Sequence, residues 1–134
     1  MQSSHFTRST ADGRTPVKAV EHPSFRFMHD IFHAHIEEKS QAAGGPAVKE
    51  VFAYVHFSEN DRGTPGTGRV RWDEAFKAIR GTGYDGWFVI EAFGRALPDL
   101  AAATRVRRDL FPSPDEVYTK GIAFIREKWA AAGK

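Results

Sequence analysis

The feature that most constrains the fold of this chain is an alternation of short apolar runs with longer helical segments. Each run has the length of a β-strand and is rich in aromatic and β-branched residues; the three runs are 25–32, 51–56 and 87–91. Helical segments are expected at 36–49, where a Gly-Gly-Pro sequence interrupts the helix, and at 72–80. Strand, helix, strand, helix and strand in this order predict an α/β protein with a parallel sheet and right-handed crossovers.

Two further helices are expected after the third run. One spans residues 98–110 and is ended by a Phe-Pro pair; the other begins at Ser113, with a proline in its first turn and Glu116 three residues after the cap. At the other end of the chain, residues 1–16 have no apolar face and no hydrophobic centre. We therefore predict a disordered tail over residues 1–16 rather than a secretory signal.

Composition limits the classes of protein and of site. The 134 residues, 41% of them hydrophobic, suffice for one domain with a core, and no apolar run approaches the ~20 residues that span a bilayer. With 19 basic and 17 acidic residues the net charge is +2, so charge alone predicts no nucleic-acid partner. Because cysteine is absent, disulfides, thiolate metal sites and cysteine nucleophiles are excluded, which fits a cytoplasmic location.

One polar residue lies at or near the carboxyl end of each predicted strand. Asp30 is near the end of the first run, His56 ends the second and Glu91 ends the third. Parallel α/β folds build their sites at the carboxyl ends of strands, and these side chains form a ligand set suited to Mn, Mg, Co or Zn. Each residue alone would more often be a helix cap or a solvated loop residue, but three equivalent positions favour a site.

Two more residues and one loop are candidates for ligand contact. His33 is a candidate substrate contact or else a partly buried histidine held by a backbone group. Arg62 could hold a hydroxyl or phosphate oxygen, or could be solvated. The loop 63–68, Gly-Thr-Pro-Gly-Thr-Gly, permits positive φ angles but lacks the Gly-Lys-Ser/Thr ending of a P-loop. Phosphate binding and a tight surface turn both remain open for it.

Three sequence strings resemble those of a known family. They are HFSENDRGTPGTG at 56–68, DIFH at 30–33 followed by IEEK at 36–39, and YDGWFVIE at 84–91. Together they are similar to the D-tagatose 3-epimerase group of ketose 3-epimerases, which are sugar isomerases and epimerases with a xylose isomerase-like barrel. The resemblance covers residues 17–134. It implies that this domain is the carboxyl-terminal part of a (β/α)8 TIM barrel, namely its last three strand–helix units.

The resemblance also implies roles for the candidate residues. Asp30, His56 and Glu91 match three of four ligands of a divalent ion, Mn, Co or Mg, while His33 and Arg62 match positions that bind the ketose. Glu91 also matches one of two glutamates that exchange a proton at C3. By this analogy the metal would hold O2 and O3 and acidify the C3 proton, giving an enediolate. One glutamate would remove the proton and the other would return it to the opposite face.

The chain is shorter than the barrel that it resembles. A complete barrel needs about 250 residues, and strands one to five, with the fourth ligand and second glutamate, have no counterpart here. We expect a small-molecule ketose as substrate, no nucleic-acid or membrane partner, and either a homo-oligomer or association with the missing amino-terminal barrel portion. Two alternatives are a non-catalytic barrel fragment or interaction module, and an endonuclease IV-like metal phosphodiesterase. The second would call for more histidine and acidic ligands at the strand ends.

Overall fold

The computed structural model of the protein describes residues 9–41 and 51–133. The described residues form five helices and three strands. The helices are α1 (Thr10–Val20), α2 (Ile31–Glu37), α3 (Trp72–Gly81), α4 (Pro98–Thr104) and α5 (Pro114–Ala131). The strands are β1 (Phe27–Asp30), β2 (Phe52–Phe57) and β3 (Trp87–Ile90).

The three strands form one parallel sheet in the order β1-β2-β3. Asp30 pairs with His56, and His56 pairs with Val89, so the carboxyl ends of all three strands meet at one edge of the sheet. The predicted α/β architecture with a parallel sheet is therefore confirmed. The register also places Asp30, His56 and the residue after β3 beside one another.

The core lies between one face of the sheet and helices α3 and α5. Phe57 of β2 is fully buried, stacks on Trp72 at 5.7 Å between ring centroids, and contacts Phe76 at 5.1 Å. Phe88 of β3 packs edge-on against Trp129 of α5 at 4.9 Å. Each fully buried side chain of this kind contributes roughly 1.5–3 kcal/mol of transfer free energy. This packing fixes the helices behind the strands and leaves the strand ends free to carry a site.

The other face of the sheet is open. Tyr54 of β2 and Trp87 and Val89 of β3 project from it, and Trp87 is 80% exposed. Tyr54 pairs in register with Trp87, so the exposed aromatic side chains form a row across two strands. Parallel sheets are normally covered on both faces. Within residues 9–41 and 51–133, this sheet is covered on one face only.

The amino-terminal segment differs from its prediction. Residues 10–16 belong to α1, whose N-cap Ser9 accepts a hydrogen bond from the Asp12 amide while the Asp12 carboxylate accepts one from the Ser9 amide. Gly13 lets the helix approach β1 closely, since a Cβ there would lie 2.5 Å from the Phe27 ring. Disorder was therefore the wrong prediction for residues 10–16, because a capping box and a glycine contact stabilise a helix. Residues 1–8 lie outside the described residues.

The bounds of three predicted elements change by more than one residue. The first strand ends at Asp30 instead of residue 32, because Asp30 caps α2. Helix α2 begins at Ile31 and ends at Glu37, so it shares only residues 36 and 37 with the predicted helix 36–49. Residues 42–50 of that prediction lie outside the described residues. Helix α4 ends at Thr104 because Arg105 adopts a left-handed conformation, with φ 60°. Helix α5 begins after Ser113, which accepts a hydrogen bond from the Glu116 amide as predicted.

No helix formed by residues 9–41 and 51–133 combines the length and the apolar character needed to cross a bilayer.

Candidate active site

Asp30 serves two purposes at the end of β1. Its Oδ1 atom accepts a hydrogen bond from the His33 amide at 3.1 Å and so caps α2. Its Oδ2 atom lies 3.7 Å from Nδ1 of His56, and the side chain is only 5% exposed. The helix-cap and ligand interpretations of this residue are therefore compatible, because each uses a different carboxylate oxygen.

His56 and Glu91 complete a cluster with Asp30. Nδ1 of His56 lies 2.9 Å from Oε2 of Glu91. The Glu91 amide donates to the carbonyl oxygen of Phe57 at 3.1 Å, which extends the pairing of β2 with β3 by one residue and fixes the position of Glu91. Ligand atoms of Asp30, His56 and Glu91 all lie within 4.8 Å of one another. The structure thus brings the three predicted strand-end residues together.

The donor chemistry of this cluster fits a divalent cation. Two carboxylates and one imidazole are ligands that Mn, Co, Mg and Zn accept. The side chains of His56 and Glu91 are 17% and 24% exposed, so an ion can reach them. Three protein ligands leave coordination positions for a substrate or a further ligand.

Arg62 lies against the same cluster. Its Nη1 atom donates to Oε1 of Glu91 at 2.7 Å and to Oγ of Ser58 at 3.2 Å. Its guanidinium carbon lies 3.4 Å from the centroid of the Phe32 ring and 5.0 Å from that of Phe93. Burial lowers the pKa of Arg62, while the charges of Glu91 and Asp30 act in the opposite direction. Arg62 is thus a packed cation at the site and differs from a solvated loop arginine.

His33 lies at the rim of the cluster. It is exposed, and its ring packs edge-on against Phe32 at 5.2 Å. Phe32 in turn lies beneath the guanidinium group of Arg62. The structure therefore places His33 next to the predicted site through one aromatic neighbour, in an accessible position.

The glycine-rich loop binds a carboxylate of its own chain. Glu59 is fully buried and accepts hydrogen bonds from the amide of Gly66 and from the indole N–H of Trp72. A Cβ on Gly68 would lie 2.6 Å from Cγ of Glu59. Sequence reasoning gave Glu59 no role, since it belongs to a polar run that is typical of solvent exposure. The glycines were the available signal, because they mark positions where the backbone closely approaches another group.

A cavity opens beside Glu91. Its volume is about 360 Å³, and it lies between the end of β3, α4 and α5. The lining is largely apolar and includes Phe93, Leu97, Leu100 and Tyr118. Leu97 and Tyr118 are more than 60% exposed. The cavity therefore lies at the carboxyl end of β3, next to Glu91.

Comparison with known proteins decides the family. The profile of the family described as "Xylose isomerase-like TIM barrel" matches residues 1–128. The chain belongs to the xylose isomerase-like TIM barrel family. The resemblance noted in the sequence is thereby confirmed, and the match begins at residue 1, ahead of the expected residue 17.

Individual relatives of this xylose isomerase-like chain carry epimerase names. It is 31% identical over 121 residues to a probable ketose 3-epimerase of Synechocystis sp., covering 90% of the chain and 42% of the relative. It is 34% identical over 117 residues to a ketose 3-epimerase of Arthrobacter globiformis, covering 86% of the chain and 40% of the relative. The chain thus spans about two fifths of the length of the curated relatives it matches.

Solved structures give the same relationship. A crystal structure of D-allulose 3-epimerase from Methylomonas sp. superposes with a TM-score of 0.86 at 28% identity, covering 93% of the chain and 44% of that protein. The xylose isomerase-like chain therefore has the fold of part of a TIM barrel, as the sequence predicted. The described residues contribute three parallel strands to this fold.

Proposed function

We propose that this chain carries part of the active site of a metal-dependent sugar epimerase that inverts C3 of a ketose. The observation that carries the proposal is the convergence of ligand atoms from Asp30, His56 and Glu91 within 4.8 Å, with Arg62 bound to Glu91. Membership of the xylose isomerase-like family and the names of the relatives support the same reaction class.

A divalent ion, Mn, Co or Mg, would be held by Asp30, His56 and Glu91. When bound, such an ion supplies Lewis-acid polarisation of a carbonyl group and so makes the adjacent C–H bond more acidic. The buried carboxylate of Asp30 contributes negative charge from β1, and Glu91 contributes it from the far side of His56. The sheet register supports this assignment because it aligns the three strand ends.

Glu91 is the proposed proton carrier. Its carboxylate would accept the C3 proton while the C–H electron pair moves towards the C2 carbonyl oxygen. Arg62 holds one oxygen of Glu91 at 2.7 Å, which fixes the orientation of the carboxylate and places positive charge beside the reacting centre. Arg62 and the accessible His33 are the proposed contacts to the ketose.

Inversion needs a second acid on the opposite face of the substrate, which returns the proton. We propose that an amino-terminal barrel portion supplies this group, either within a longer polypeptide or as a separate chain. Two features of the described part of the chain support this assembly: the open face around Trp87, which is 80% exposed, and the edge of β3 that pairs with no described strand. The chain also spans only about two fifths of the length of its relatives.

Metal binding is the first test of the proposed function. Titration of the chain with Mn²⁺ in a calorimeter should give a binding signal that Glu91→Gln weakens and that the surface variant Glu127→Gln leaves unchanged. If the wild-type chain shows neither heat nor thermal stabilisation with Mn²⁺ or Co²⁺, the site is abandoned and the non-catalytic alternative is favoured.

Assembly and proton exchange form the second test. The amino-terminal portion of the Arthrobacter globiformis relative, prepared separately, should associate with the chain and shift the fluorescence of Trp87 to shorter wavelength; Trp87→Phe should remove that shift. In the assembled barrel, the ketose C3 proton should exchange with solvent deuterium, and Glu91→Gln should abolish that exchange. Retained exchange in the Glu91 variant would contradict the role of Glu91.

A further inference from the structure

The carboxylate of Glu59, in the loop that joins β2 to α3, accepts four hydrogen bonds. Although it lies in a polar run, Glu59 is 0% exposed. Its Oε1 atom accepts hydrogen bonds from the amides of Asn60 and Val70, each at 3.0 Å. Its Oε2 atom accepts from the Gly66 amide at 2.9 Å and from the Trp72 indole at 2.8 Å. Four donors, the most distant of them thirteen residues after Glu59, thus converge on one side chain.

The loop between these donors is shaped around the same carboxylate. Gly66 has φ +91°, a conformation that side chains with a Cβ rarely adopt. A Cβ on Gly68 would lie 2.6 Å from Cγ of Glu59 and 2.4 Å from Oδ1 of Asn60. Both glycines therefore allow the backbone to close over Glu59. A side chain at position 68 would press on Glu59, and one at position 66 would meet the Phe124 ring at 2.6 Å.

Glu59 is connected to the candidate site through Arg62. The Arg62 amide donates to the carbonyl oxygen of Glu59 at 2.9 Å, and the carbonyl oxygen of Arg62 accepts from the Phe93 amide at 3.0 Å. Arg62 itself has φ +70°, an unfavourable angle for a residue with a Cβ, so surrounding contacts must hold it. In this backbone conformation the Nη1 atom of Arg62 donates a hydrogen bond to Oε1 of Glu91.

We propose that Glu59 is a positioning residue whose carboxylate holds the loop 59–72 in the conformation that places Arg62 on Glu91. Only a carboxylate suits this role, because it accepts on both oxygens, whereas glutamine would turn an NH₂ group towards two of the four donors. Glu59 has no contact with the reacting atoms. Its catalytic consequence rests on the proposed function, but its effect on Arg62 is a structural claim that can be tested separately.

Amide hydrogen exchange, followed by NMR on the chain without metal, tests the structural claim. In Glu59→Gln, exchange at the amides of Arg62 and Phe93 should be accelerated about tenfold or more. The Arg62 amide donates to the carbonyl oxygen of Glu59 and the Phe93 amide to that of Arg62, so both hydrogen bonds depend on the position of the loop. The Glu91 amide, which donates to Phe57 in the sheet, should change by less than about twofold. The control Glu127→Gln, which changes an exposed carboxylate on α5, should alter none of the three.

Two outcomes would overturn the proposal. Equal acceleration at Arg62, Phe93 and Glu91 would show that Glu59 only stabilises the fold as a whole, and unchanged exchange at all three would show that the loop holds Arg62 without it. If Glu59→Gln does not fold, Gly68→Ala gives the same test, because its Cβ presses on the side chain of Glu59. The selective pattern is then expected in that variant, and its absence counts against the proposal.

A Mn²⁺ titration extends the test to the site. If Glu59 acts through Arg62, then Glu59→Gln and Arg62→Ala should each change the dissociation constant for Mn²⁺, and the double variant should match Arg62→Ala within about twofold. Fully additive changes would contradict action through Arg62. Absence of Mn²⁺ binding by the wild-type chain would remove the proposed function instead, and the exchange experiment would still decide the role of Glu59.

Discussion

Arg62 donates a hydrogen bond to Oε1 of Glu91 at 2.7 Å, while Oε2 of the same carboxylate lies 2.9 Å from Nδ1 of His56. One side chain thus connects a cation from the loop after β2 with a metal-ligand candidate on that strand. Because His56 lies on β2 and Arg62 in the loop that follows it, the geometry of Glu91 depends on the pairing of β2 with β3.

The backbone strain at Arg62 predicts a difference between two truncations. Arg62→Ala and Arg62→Gly both remove the guanidinium group, but only glycine adopts φ +70° without steric cost. The free energy of unfolding of Arg62→Gly should therefore be about 1 kcal/mol larger than that of Arg62→Ala, so that the glycine variant is the more stable of the two. Urea denaturation measures this difference. Equal stabilities would show that the left-handed conformation relaxes when the side chain is removed.

The two carboxylate oxygens of Asp30 predict that stability and metal binding can be separated. Asp30→Asn keeps an oxygen that caps α2 and should change the free energy of unfolding by less than about 0.5 kcal/mol, whereas Asp30→Ala should lose about 1 kcal/mol. Both variants should weaken Mn²⁺ binding, because both remove the charge that faces His56. Denaturation and calorimetry on the two variants measure these effects. Undiminished Mn²⁺ affinity in Asp30→Asn would argue against Asp30 as a ligand.

Two glycines predict opposite effects of the same substitution. Gly66→Ala would place a Cβ 2.6 Å from the Phe124 ring at φ +91° and should cost about 2–4 kcal/mol. Gly81 lies at the end of α3 with nothing within 4 Å of the corresponding position. Gly81→Ala should therefore stabilise the protein by up to about 1 kcal/mol. Thermal denaturation of both variants gives the comparison, and destabilisation by Gly81→Ala would contradict the open position at that residue.

The environment of Glu59 predicts a loss of stability in acid. Burial acts to raise the pKa of Glu59, but hydrogen bonds from Asn60, Val70, Trp72 and Gly66 outweigh it and lower the pKa below the ordinary 4.5. A carboxyl group whose pKa is lowered by folding stabilises the folded state at pH values above its pKa in the unfolded chain. This contribution is lost as the pH falls through the pKa of the group in the folded protein.

This acid effect can be measured by comparing the wild type with Glu59→Gln. At pH 7 the variant should be less stable by about 3 kcal/mol, because it leaves buried donors without an acceptor. The difference should shrink as the pH falls below 4.5. A difference that is the same at pH 7 and pH 3 would show that the Glu59 charge does not contribute.

Local sequence patterns were sufficient for the parts of the structure that depend on neighbours along the chain. The three apolar runs gave the parallel sheet, and Ser113 gave the start of α5, since strand composition and capping are local properties. The strand-end positions of Asp30, His56 and Glu91 followed from the same pattern. Parallel strands bring such positions together without any further information about packing.

Features that depend on distant residues were outside the reach of those patterns. Helix α1 has a local capping box at Ser9 and Asp12, but the contact of Gly13 with Phe27, which holds the helix on the sheet, joins two distant elements. Glu59 was missed because its acceptors are satisfied by Val70 and Trp72, eleven and thirteen residues away, which turns a polar residue into a buried one. No local pattern distinguishes such a carboxylate from a solvated one.

The sequence by itself thus determined the order of the elements, the class of the sheet and the residues that end its strands, because these follow from periodicity and turn chemistry. Only the tertiary structure decided that Arg62 rests on Glu91, that the glycine-rich loop closes over Glu59, and that one face of the sheet around Trp87 is open. Hydrogen bonds between distant segments, and the burial of the side chains that form them, depend on how the strands and loops pack together. Local sequence patterns do not contain that information.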